Sequence, residues 1–113
     1  MNKDDLVRLY HMLDAAKEAE SFAQNRTRSD LDSDRMLALS LLKLIEIIGE
    51  AAAGVSKESR SQMPQIPWPS MVGMRNRLVH AYFDIDLDRV WDTVTADLPP
   101  LIAELEQIIG SVE

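Results

Sequence analysis

Residues 34–55 constrain the chain most: Met36, Leu37, Leu39, Leu41, Leu42, Leu44, Ile45, Ile47 and Ile48 crowd one stretch. The polar residues Ser40, Lys43, Glu46 and Glu50 recur within it at steps of three and four. That spacing predicts a helix with one narrow polar stripe, capped by Ser33 or Asp34. A helix apolar over most of its circumference must be buried on two sides, and a chain of 113 residues has room for one thin core. The expectation is a single domain over residues 1–113, with a second copy of the chain covering the far side of this helix as a homodimer.

Three more helices are expected around it. Over 4–24, Leu6, Leu9, Tyr10, Leu13, Ala16 and Phe22 recur at helical steps, with Asn2, Asp4 or Asp5 available as the cap. Residues 25–30 are polar and aperiodic and read as a loop. Residues 56–70 contain Pro64, Pro67 and Pro69 and read as an extended connection. A third helix is predicted to start at Pro69 or Ser70 and run through Gly73 to about residue 81. Asp84 or Asp86 can cap a fourth, in which Leu87, Val90, Val94, Leu98, Leu101, Leu105 and Ile108 alternate steps of three and four. Pro99 and Pro100 should kink or restart it, because an interior proline removes a backbone hydrogen bond and clashes with the preceding turn. No strand is predicted. The reading is an all-α, four-helix up-and-down bundle with a kinked C-terminal helix.

The composition excludes several classes of function. There is no Cys, which removes disulfides, thiolate metal sites and thiol nucleophiles, and two His cannot build a conventional structural zinc site. No metal and no cofactor are expected. The first 25 residues are studded with charge, and nowhere do 18 apolar residues run uninterrupted, so the expected location is the cytoplasm, away from membranes. A net charge of −7 opposes broad binding to nucleic acid, leaving a local basic patch of Arg75, Arg77, Lys57 and Arg60 as the route to an anionic partner.

Met74-Arg75-Asn76-Arg77-Leu78-Val79-His80-Ala81-Tyr82-Phe83 is the densest run of functional side chains. On a continuous helix, at about 100° per residue, Asn76 lies about 40° from His80, Arg77 about 60° and Arg75 about 140°. Asn76 would then hold the imidazole by a hydrogen bond, and Arg75 would reach the same group from the flank. An imidazole beside a guanidinium suffices for cleaving RNA without a metal: the first moves protons at the 2′-hydroxyl and the 5′-oxygen, the second binds charge growing on phosphorus. On the same helix Tyr82 would face away from His80, so an accessible phenol requires the helix to end near Ala81.

Arg75-Asn76-x3-His80-x-Tyr82 resembles the Arg-x4-His-x-Tyr signature of HEPN domains of the HepT kind, and the flanks agree. These are Ile45-Glu46-Ile47-Ile48-Gly49-Glu50-Ala51, Ile66-Pro67-Trp68, Gly73-Met74, Phe83-Asp84-Ile85-Asp86 and Val90-Trp91-Asp92. The resemblance covers residues 1–109. It implies the toxin of a type VII toxin–antitoxin pair: an all-helical, homodimeric, metal-independent endoribonuclease acting on tRNA or mRNA at a site on the dimer interface. Arg75 and His80 would be the catalytic pair and Asn76 their supporting residue. Tyr82 would receive AMP from a minimal nucleotidyltransferase antitoxin of the MntA kind, which silences the nuclease.

Arg77 is a candidate for binding RNA, and Glu50, with Glu46 one turn before it, for lying beside the site; the plainer reading of both acids is a solvent-facing stripe. Asp84-x-Asp86-x-Asp88 opens like a calcium loop, but Arg89 stands where that loop needs Gly and Thr95 where it needs Glu, so helix capping is preferred. His11 has no partner at metal or catalytic spacing, and Trp68 and Trp91 are expected in the core. The competing function is a non-catalytic helical module that only binds the nucleotidyltransferase. The intact Arg75/His80 pair speaks against it, since a binding module has no use for a proton-transfer group beside a phosphate-binding one.

Overall fold

Asn2 starts the first helix, α1 (Lys3–Ala23): its side chain accepts the Asp5 backbone N–H at 2.8 Å, satisfying an amide that has no helical partner. The computed structural model describes residues 1–81 and 84–112, with the backbone alone at His80 and Ala81. Asn25 turns the chain with φ 61°, the left-handed region that asparagine tolerates. A single-turn helix α2 (Asp30–Ser33) follows, and Asp34 caps α3 (Arg35–Gly54) by accepting from Leu37 N at 3.0 Å. Next come α4 (Lys57–Ser61) and α5 (Trp68–Val72) in the proline-rich connection.

The third helix differs from its prediction. It stops at Val72, where Gly73 N–H turns back to the carbonyl of Pro69, and the chain tightens into a 3-10 turn over Met74–Arg77. Residues 79–81 and 84–85 then form a two-stranded antiparallel ribbon, β1 (Val79–Ala81) and β2 (Asp84–Ile85), in which Val79 faces Ile85. Asp86 N–H closes it on Leu78 O at 2.7 Å. Glycine is a poor helix residue, and past Leu78 the apolar residues no longer recur at helical steps, while β-branched Val79 and Ile85 favour pairing. The expectation of no strand therefore fails here, though the chain as a whole is predominantly helical.

Asp86 caps α6 (Leu87–Asp92), accepting from Arg89 N at 3.1 Å. A π-helical stretch, Thr93–Asp97, leads into α7 (Leu98–Val112). The rings of Pro99 and Pro100 would strike the carbonyls four residues back, those of Thr95 and Ala96, and both lie in the widened stretch. The prolines thus follow directly on a π-helical stretch inside one uninterrupted helical run.

Helix α1 packs along α3 on one side and α7 on the other, and α5 and the 3-10 turn lie on α3. Leu9, Met12, Leu41, Ile45, Ile48, Leu98 and Leu105 are fully buried between them. The second side of α3 is thus partly covered by the chain itself. Gly49 makes this possible: a Cβ there would stand 3.1 Å from Met71 O and 3.6 Å from Val72 O. Trp68 is buried as expected, donating from its indole to Met63 O at 3.1 Å, and Trp91 packs half-buried against the core.

One corner is held by a buried carboxylate. Asp5, 3% exposed, accepts from Ser56 N at 3.0 Å, from Ser56 Oγ and Ser59 Oγ at 2.6 Å each, and from Asn2 Nδ2 at 3.1 Å. The Ser56 hydroxyl, then that of Ser59, holds this carboxyl below the usual aspartate range, with burial opposing them.

Replacing Asp5 by Ala should lower the unfolding free energy by about 1–3 kcal/mol at neutral pH, measured by urea denaturation. Because the folded-state pKa is depressed, this stabilisation is complete above the unfolded-state value of about 3.9 and is lost as pH falls toward the folded one. The gap between wild type and Asp5→Ala should therefore narrow below about pH 4; a constant gap would contradict it. Gly49→Val, which drives a branched side chain into the Met71 and Val72 carbonyls, should cost about 1–3 kcal/mol in the same assay, and an unchanged midpoint would show that α5 does not need the close approach.

Candidate functional site

Glu46, Gly49, Glu50 and Ala53 on α3 face Val72, Arg75 and Asn76 across a shallow depression of about 400 Å³. The floor exists because Gly49 lets the end of α5 sit against α3, and the 3-10 turn then lifts Arg75 and Asn76 onto the rim. Arg75 Nε donates to Glu46 Oε1 at 2.8 Å, and Glu46 Oε2 lies 3.7 Å from Lys43 Nζ. The Arg75 side chain is 52% exposed and that of Glu46 22%. A guanidinium so placed, with four further N–H groups, can take an anion from solvent in a two-pronged grip.

The predicted site residues separate into groups. Arg75, Asn76 and Glu50 meet at this depression. The imidazole of His80 and all of Tyr82 lie outside the described residues. The geometry assumed for them does not hold, however: His80 sits in β1 and Asn76 in the 3-10 turn, so they are not one turn apart on a helix, and the orienting hydrogen bond drawn from that spacing loses its basis. The requirement that helix end before Tyr82 is met, since helical structure stops at Arg77.

Arg77 points elsewhere. It donates to Ser70 O at 2.8 Å and lines a separate cleft of about 380 Å³ with Met71, Met74, Asp97, Leu101 and Glu104. Arg60 is also withdrawn from the expected basic patch: it donates to Val55 O at 3.0 Å and to Ala52 O and Ala53 O at 3.1 and 3.0 Å, closing the end of α3. Its guanidinium stacks 5.7 Å from the centre of the Trp68 ring. Arg26 is paired with Asp30 and Asp34, and Arg28 with Asp88. The residue that the sequence undervalues is Glu46, whose signals were its place one turn before Glu50 in the polar stripe and in the flank that resembles the family. Among the described residues, no group of three or more His, Asp or Glu is placed to hold a metal ion, and no helix is long and apolar enough to cross a membrane.

Comparison with known proteins agrees on one family. A protein of Methanocaldococcus jannaschii that carries the name of an inferred RNase is 34% identical over 107 residues, covering 94% of this chain and 98% of that protein. A Thermococcus cleftensis protein named probable ribonuclease HepT is 32% identical over 100 residues, covering 88% of this chain and 91% of its own. No solved structure gives a significant match. The model of the family described as ribonuclease HepT-like matches residues 12–108, and the chain belongs to that family.

Proposed function

We propose that this chain is the toxin of a type VII toxin–antitoxin pair, a metal-independent endoribonuclease built on a four-helix HEPN-type framework and working in the cytoplasm. The observation that carries the reading is Arg75: an exposed guanidinium at a depression beside Asn76, five residues before His80, in a member of the HepT-like ribonuclease family. The names of the relatives support RNA as the substrate class, and in this reading the RNA is tRNA or mRNA.

In this reading His80 takes the proton from the ribose 2′-hydroxyl, the 2′-oxygen attacks phosphorus, and the bond to the 5′-oxygen breaks. The departing oxygen receives a proton from a second imidazole, leaving a 2′,3′-cyclic phosphate and a 5′-hydroxyl. Arg75 binds the charge that grows on the non-bridging oxygens, where a preorganised donor acts most strongly. Asn76, on the same rim, supports the scissile group. Two imidazoles call for two protomers. Met36, Leu39, Lys43, Glu46 and Glu50 share one face of α3 at alternating steps of three and four, and Met36 and Leu39 are 81% and 42% exposed on it. Two uncovered apolar side chains on the same helix face as the depression, with Lys43 and Glu46 between, support a homodimer whose interface borders the site.

Tyr82, two residues beyond His80, is the proposed point of control. Its phenolic oxygen attacks the α-phosphorus of ATP in the nucleotidyltransferase antitoxin, pyrophosphate leaves, and the bound AMP sets a bulky anion where the RNA phosphate would lie. The added phosphate also engages Arg75 by charge-assisted hydrogen bonds.

Purified protein should cleave single-stranded RNA, and Arg75→Ala and His80→Ala should each abolish cleavage while the dimer persists by light scattering. Incubation with the partner transferase and ATP should add an AMP-sized mass as cleavage disappears, with Tyr82→Phe unmodified and active. Full cleavage by either alanine variant sinks the nuclease assignment. No cleavage by unmodified wild type, with tight transferase binding, favours the non-catalytic module.

A further inference from the structure

We propose that Glu46 is the positioning residue of Arg75, a role that rests on the ribonuclease reading above. Three observations carry it. The carboxylate approaches Nε, at 2.8 Å, and not the paired terminal nitrogens. Among the described residues Arg75 has no other bond, so neither Nη group is engaged by them, and Arg75 lines the depression. A carboxylate that competed with RNA phosphate would occupy that outer fork instead.

The second observation is the asymmetry of the pair. Glu46 is the more enclosed partner, on a long helix whose neighbouring residues Ile45 and Ile48 are fully buried, whereas Arg75 stands on a short 3-10 turn. The acid is the fixed post and the guanidinium the long, rotatable group that it steadies. Third, Lys43 Nζ lies 3.7 Å from the other oxygen of Glu46, so the carboxylate is shared by two cations and does not cancel the charge of Arg75 alone. Glu50 faces the same depression without a bond to Arg75 among the described residues, which singles out Glu46 of the two acids. An arginine held in its working geometry before substrate arrives loses less freedom when the transition state forms, and a small misplacement of such a group is felt in turnover.

The test is steady-state cleavage of a fluorescent single-stranded RNA by wild type, Glu46→Gln, Glu46→Ala and Arg75→Ala, with thermal melts alongside. Glu46→Ala should lower kcat about 10- to 100-fold with KM within about threefold, since orientation and not binding is lost. Glu46→Gln, whose amide oxygen still accepts from Nε, should recover most of kcat. The Arg75 Nε–Hε signal in a 15N correlation spectrum should persist in wild type and Glu46→Gln and vanish in Glu46→Ala. Should Glu46→Ala fail to fold, Glu46→Asp, one methylene too short to reach Nε, should show the same loss of kcat.

If wild type cleaves, Arg75→Ala does not and Glu46→Ala matches wild type, the positioning role falls and the nuclease reading stands. Faster cleavage by both Glu46→Ala and Glu46→Gln would make Glu46 a brake and overturn the proposal. If wild type leaves RNA intact, the nuclease reading falls and takes this role with it.

Discussion

Helix α3 can bury Leu41, Ile45 and Ile48 only by accepting a neighbour on each of two sides, and that demand organises the molecule. One neighbour is α1, long enough to run beside it for most of its length. The other is short, irregular and brought in at Gly49, where the absence of a side chain lets backbone meet backbone. Because that second contact ends in a 3-10 turn and not in more helix, Arg75 and Asn76 stand at the edge of the packed face with their side chains toward solvent. The same packing that completes the core thus produces the rim of the site.

The long elements were legible in the sequence because they are periodic over many residues. Helices α1 and α3 lie close to their predicted spans, the predicted fourth helix is present as α6, the π-helical stretch and α7 in succession, and Asn2, Asp34 and Asp86 were among the capping residues proposed. Legibility failed between Gly73 and Ile85. There, runs of five or fewer residues cannot establish a period, and pairing of Val79 with Ile85 outweighed the helical preference of the arginines and leucine before them. The angles drawn on a continuous helix failed with it, and the grouping of Arg77 with Arg75 failed for the same reason.

The site was legible in its residue types and less so in its assembly. Arg75 drew attention through its neighbours in the chain, but its partner Glu46 is 29 residues away, and only the packing of the 3-10 turn on α3 brings them together. The basic patch was overestimated because a count of charges cannot tell a solvated arginine from one that is already employed. Of its four members, Arg60 caps a helix and Arg77 is bonded to Ser70 O; elsewhere Arg26 and Arg28 tie down the segment between α1 and α3. Net charge −7 is thus unevenly offset: among the described residues several of the cations are spent on structural pairs, while the Arg75 side chain stays half exposed.

The corner formed by Asp5, Ser56, Ser59, Arg60 and Trp68 has a dynamic meaning. Helices ordinarily fray from their ends, since the last carbonyls are held by nothing but water. The carbonyls of Ala52, Ala53 and Val55 are instead held by Arg60, Arg60 is packed on Trp68, and the next turn is pinned through Ser56 and Ser59 to the start of α1. Each of these pieces is bonded to the next, so loosening one weakens the hold on the others. The end of α3, α4 and the first turn of α1 should thus open to solvent exchange as one cooperative unit, and that unit includes Ala53 on the wall of the depression.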